Sequence, residues 1–186
     1  MASIIVKERD VAVDFVKVVA TMLVLNSHMN ICYGSHSVFA SGGGIGDALF
    51  FFISGFTLFM GRKANFVNWY KRRLGRIYPT IIAMGLVACL VFAQEFSFVD
   101  VMLASKYWFL QCILVCYLLL YPIIRYEWNL PICIGMSIAA MVGLSFLFDF
   151  SEGIFYGINN YFRWIVYFSV MLIGGCVFFE YQPYYL

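Results

Sequence analysis

Charge is scarce in this chain: aspartate, glutamate, lysine and arginine make up 12% of its 186 residues, while 63% are hydrophobic. An ordinary soluble domain carries about twice that charged share, so the composition is that of an integral membrane protein. Also missing is the in/out alternation over about ten residues that marks a transmembrane strand. The apolar runs instead approach the roughly 20 residues that a helix needs to cross the hydrocarbon. The six cysteines (Cys32, Cys89, Cys112, Cys116, Cys133 and Cys176) stand singly in or beside apolar runs, without the loop spacing that frames disulfides or zinc. Cys112 and Cys116 lie one helical turn apart with no histidine nearby, so no metal site is expected. No small-x-small cleavage site follows the first apolar stretch, which Asp14 and Lys17 interrupt, so it does not read as a cleavable signal. Nothing repeats, no soluble domain stands out, and no feature points to nucleic acid.

What is present divides into six apolar stretches, at about 11 to 31, 45 to 60, 77 to 94, 108 to 124, 131 to 148 and 162 to 179. The fold class expected is an all-helical polytopic bundle of about six transmembrane helices. Lys7, Arg9 and Lys17 flank the first span, and Arg62, Lys63, Lys71, Arg72, Arg73 and Arg76 crowd the second connection, so those ends face the cytoplasm. The connection at 32 to 44 has no lysine or arginine, and those at 95 to 107 and 149 to 161 set four acidic residues against Lys106 alone; they face outward. Arg125 then falls inside, Arg163 at an outer end, and both termini in the cytoplasm. In GRKANFVNWYKRRLGR, Phe66, Trp69 or Tyr70, and Leu74 recur at helical spacing among basic residues, which describes an amphipathic helix lying in the inner interface. Pro79, just after it, fits the first turn of the third span.

Three constellations carry candidate chemistry. In DFVKVVATMLVLNSH, Lys17 and His28 are eleven residues apart, three turns plus about 20°, so they share a helix face about 16 Å long with Asp14 and Thr21. Charged groups in a span normally face a bundle interior or a cavity, which is where this stripe is expected to point. In GGGIGDALFFFISGF no Gly-Lys-Ser/Thr follows the glycines, so they do not form a phosphate loop. Ser54 and Gly55 there suit close helix packing or a place in a cavity wall. In KRRLGRIYP, Arg73 and Arg76 are spaced to present two guanidinium forks to one polyanion, although a basic cluster at this place also serves as a topology signal.

The order D-x-x-K-(x10)-H, G-x-x-x-FF-x-x-SGF, R-x-x-R-x-x-P and YWFLQCILVCYLLLYP resembles the acyltransferase 3 family, from Asp14 to about Pro122. The resemblance implies a bacterial inner-membrane O-acyltransferase, with residues 1–186 forming a single transmembrane domain like the N-terminal half of such an enzyme. It would move an acyl group, acetyl above all, from cytoplasmic acyl-CoA to a hydroxyl of an extracytoplasmic glycan or lipid-linked sugar, using acyl-CoA as donor substrate and no further cofactor. His28 would be the catalytic residue, as general base or as a transiently acylated nucleophile. Lys17, standing where the family has arginine, would orient the donor with Asp14 as its partner. Arg72, Arg73 and Arg76 would hold the CoA phosphates, and Ser54 would line the same cavity. A truncated, non-catalytic membrane protein or an accessory subunit shows the same spans. A polar stripe matched to an inner basic clamp is what such a scaffold does not need.

Overall fold

The computed structural model describes residues 10–61, 64–92, 97, 99–100, 107–147 and 159–181. Seven α-helices organise them: α1 (Val11–Ser27), α2 (Asn30–Tyr33, followed by a 3-10 turn Gly34–Phe39), α3 (Gly43–Phe59), α4 (Phe66–Phe92), α5 (Trp108–Arg125), α6 (Leu130–Ser145) and α7 (Asn159–Tyr181). Among the described residues there is no strand. The charged residues expected in the outer connections at 95, 106, 149 and 152, and those at 7, 9, 62 and 63, lie outside this set.

Local chemistry starts and stops these helices. The Asp10 carboxylate accepts from the backbone N–H of Ala12 and Val13, at 2.9 and 3.3 Å, and so caps α1. Asn129 does the same for α6 through Ile132 N–H, and Pro131 fills the first turn, where no donor is missed. The first span ends earlier than the sequence suggests. After Ser27 the chain bends by 64°, because the Asn26 side-chain amide donates to the Phe39 and Ser41 carbonyls and pulls the following loop back across the helix end.

α3 is central. It packs most extensively against α7 and next against α1, while α6 covers the far side of α7 and α4 rests on α5. The core runs through Phe51 and Leu58 of α3, Trp69 of α4, Cys112 and Leu120 of α5, and Met171 and Leu172 of α7. Small residues set the closest approaches: a β-carbon at Gly55 would collide with the Met171 carbonyl, and one at Gly174 with the Phe52 carbonyl. This is how membrane helices gain van der Waals contact where lipid gives no hydrophobic drive between them.

Two expectations change. The separate interfacial helix and the third span are one helix, α4, with Pro79 in its interior rather than in a first turn. Buried Trp69 stacks edge-on against Tyr117 and Tyr121 of α5, and buried Ile81 packs on Leu114 of the same helix, so both halves are held to one partner. The proline removes a single hydrogen bond, and the glycine four residues before it gives the backbone room to accept the ring. The count of spans also changes. Phe66–Val91, Trp108–Arg125 and Tyr161–Glu180 are long and apolar enough to cross a membrane, and the bent pair of α1 with Asn30–Phe39 makes up to a fourth. Gly43–Phe59 and Leu130–Ser145 are apolar but only 17 and 16 residues long, about 25 Å against a hydrocarbon thickness of about 30 Å. The structure is a helical membrane bundle without six full-length spans among the described residues.

Candidate functional site

A cavity of about 250 Å³ opens where α1 ends and α3 begins, lined by Ser27, His28, Asp47, Thr80, Met84 and Trp108 among others. His28 is the residue that closes α1, its backbone N–H donating to the Leu25 carbonyl at 3.0 Å. Asp47 stands early in α3. Glycines bring the two together: a β-carbon at Gly46 would meet the Ala20 carbonyl at 2.7 Å and Val24 N at 3.0 Å, and one at Gly43 would meet Ser27 Cβ at 2.9 Å. Only a side-chain-free turn lets α3 approach α1 this closely, and that approach sets the Asp47 carboxylate within electrostatic reach of His28. His28 stands at the C-terminal end of α1, where a cation is stabilised. Asp47 also feels Arg163, whose guanidinium lies 4.0 Å above the Trp108 ring.

At the other end of the bundle the expected phosphate cluster divides. Arg72 and Arg76 are exposed, and Arg72 Nε donates to the Asn68 carbonyl at 3.2 Å. Arg73 turns inward: its guanidinium sits 5.4 Å from the Trp69 ring centroid, and its buried Nε has no hydrogen-bond partner among the described residues. Its Nη2 is 3.1 Å from where a β-carbon would stand on Gly61, just beyond the C-terminus of α3. Tyr117 links this group to Ser54, being within hydrogen-bonding reach of Ser54 and close to Arg73.

The structure therefore brings Ser54 and Arg73 together through Tyr117, and leaves Lys17 apart from both groups. Lys17 pairs with Asp14 at 3.6 Å and remains 46% exposed. Thr21, bonded to the Lys17 carbonyl at 2.8 Å, is exposed as well. Of the stripe, His28 reaches the cavity. A larger cavity, about 810 Å³, lies between the ends of α3, α5 and α7 and the start of α6, and none of the expected site residues lines it.

Asp47, Tyr117 and Arg163 were not singled out as site residues by the sequence pattern. Asp47 had a usable signal, as the one charge in the apolar stretch 45 to 60, and an intramembrane carboxylate is a functional candidate by default. Tyr117 had none, being one of 13 tyrosines in the chain.

A family model described as an acyltransferase domain, acyltransferase 3, matches residues 10–186. The chain belongs to the acyltransferase 3 family. The match continues well past Pro122, where the quoted motifs end, and includes α6 and α7. Comparison with curated proteins and with solved structures returns no match. Family membership and apolar helices together make the chain a membrane acyltransferase in the general sense. The cavity lining combines the His28 imidazole and the Asp47 carboxylate with apolar side chains of Val24, Phe50, Met84 and Leu110.

Proposed function

We propose that this acyltransferase 3 protein is an O-acyltransferase that moves an acyl group, acetyl in the first instance, from cytoplasmic acyl-CoA to a hydroxyl of an extracytoplasmic glycan or lipid-linked sugar. The observation that carries the reading is that His28 and Asp47 line one cavity within electrostatic reach of each other. His28 takes the proton from the acceptor hydroxyl as its oxygen attacks the thioester carbonyl. Collapse of the tetrahedral adduct breaks the carbon–sulfur bond, and the imidazolium returns the proton to the departing thiolate. Asp47 stabilises the imidazolium between these steps, so the products are the ester and free CoA.

The lysine and arginine distribution supports placing the Arg72 and Arg76 end in the cytoplasm and the His28 end outside. From Arg73 to Thr80 is seven residues of one helix, about 10 Å, so a donor gripped at the basic end needs to extend only that far to reach the cavity wall. The test uses a host whose surface glycan the protein acylates, read as an acyl mass increment on the polysaccharide. A general base contributes about 10²- to 10⁴-fold, so His28→Ala abolishes the increment at unchanged membrane level, while His36→Ala, exposed and stacked on Phe39, retains it. Retained acylation in well-expressed His28→Ala would sink the assignment.

A further inference from the structure

Arg163 is the arginine that charge placement leaves at an outer span end, against the general bias of lysine and arginine toward the cytoplasm. The structure gives it a defined seat. Its guanidinium carbon lies 4.0 Å from the Trp108 ring centroid, where the face of the ring attracts a cation. One turn further along α7, Tyr167 stacks on the same tryptophan at 5.8 Å and on Phe51 of α3 at 4.6 Å. Residues four apart on α7 therefore hold Trp108 between them and tie it to the core. Trp108 lines the His28 cavity together with Asp47, whereas Arg163 is not among the lining residues. Of the charges that act on Asp47, Arg163 is the strongest and His28 the next. Tyr167 and Cys112 are its other titratable neighbours among the described residues.

A carboxylate among apolar side chains stays charged only where a neighbouring cation compensates for the lost water. His28 does not fill that place through the whole reaction, because a general base has to be neutral when the acceptor arrives. Arginine, by contrast, keeps its charge throughout. We infer that Arg163 is a positioning residue for the proposed acyl transfer: seated on Trp108, it holds the Asp47 carboxylate in its charged form, ready to stabilise the imidazolium once His28 takes the acceptor proton. The inference rests on the His28 reading above. This role requires no contact with donor or acceptor, in keeping with the place of Arg163 outside the cavity lining. The path of the proton is unchanged, from the hydroxyl to His28 and on to the departing thiolate, while Asp47 and Arg163 keep their charges at every step.

The experiment is a double-mutant cycle on the initial acylation rate, in the same host and normalised to the level of protein in the membrane. Arg163→Gln is expected to slow wild type by about three- to thirtyfold, yet to slow Asp47→Asn by no more than about twofold, because residues that act through one another are not additive. A purely structural arginine gives the same loss in both backgrounds. Arg163→Lys restores a positive charge and is expected to recover most of the rate lost in Arg163→Gln. If Arg163→Gln does not accumulate, Arg163→Met, which keeps an apolar stem against Trp108, takes its place in the cycle. Equal losses in the two backgrounds, a full rate in Arg163→Gln, or a lysine variant as slow as the glutamine one each overturn the inference and leave the His28 assignment standing. A full rate in His28→Ala overturns both.

Discussion

A carboxylate within electrostatic reach of an imidazole makes protonation of the ring cheaper, so Asp47 and His28 need not contribute equally to catalysis. Asp47→Asn keeps the shape and removes the charge. The expected loss is that of one charge-assisted interaction, about 1.5 to 3 kcal/mol or roughly ten- to a hundredfold in initial acylation rate, smaller than for His28→Ala and with the folded protein unchanged. A full rate in Asp47→Asn would detach the carboxylate from the chemistry. The arginines differ from one another for a reason visible in their surroundings. Arg73 is packed over Trp69 at the end of α3, so Arg73→Ala removes core contact together with charge and lowers the melting temperature. Arg72 and Arg76 are exposed, and truncating either leaves melting unchanged while weakening coenzyme A by a few-fold, in line with solvent-screened ion pairs. Calorimetric titration paired with a thermal melt separates the two kinds of arginine; a melt unmoved by Arg73→Ala would deny it the packing role.

At the level of helices, the glycines of α3 and α7 predict their own sensitivity. A methyl group at Gly55 or Gly174 meets a backbone carbonyl of the opposing helix, and backbone cannot rotate aside as a side chain does. Gly55→Ala or Gly174→Ala is expected to destabilise the bundle by about 1 to 3 kcal/mol, seen as a lower detergent melting temperature. Gly143→Ala on α6, with open space above it, leaves melting unchanged; a large shift there, or none at Gly55, would refute the packing account. This interface also shows what was legible in the sequence. Apolar runs and charge placement gave the helical class, and the small Ser54-Gly55 pair marked close packing, because both signals are local. The continuity of α4 was not legible, because proline as a start signal and proline as a tolerated interior residue look alike until the partner helix is known. Buried Trp69 and Ile81, both fixed on α5, decide the matter through contacts distant in sequence. For the site, His28 and the basic residues stood out as rare charge in an apolar background. Tyr117 between Ser54 and Arg73 had no such contrast, since its role depends on which helix faces which.

For the whole molecule, the basic end of α4 and the cavity end of α1 and α3 are expected on opposite sides of the membrane, with the basic end in the cytoplasm. Labelling of single-cysteine variants in a cysteine-free background checks this: position 65, just before α4, should resist an impermeant thiol reagent added from outside, while position 36, in the 3-10 turn after α1, should react. Outside labelling at position 65 would reverse the orientation. The central α3–α7 contact joins Gly55 to Met171, residues separated by more than a hundred positions along the chain. Synthesis delivers α1 and α3 together, but the glycine face of α3 must wait through α4, α5 and α6 for its partner. Until then α3 is a half-built seam lying in lipid, open to any other helix with small residues of its own. A translational pause before Asn159 leaves α3 on α1 and α4 on α5, but without the helix whose glycines and carbonyls close the central seam.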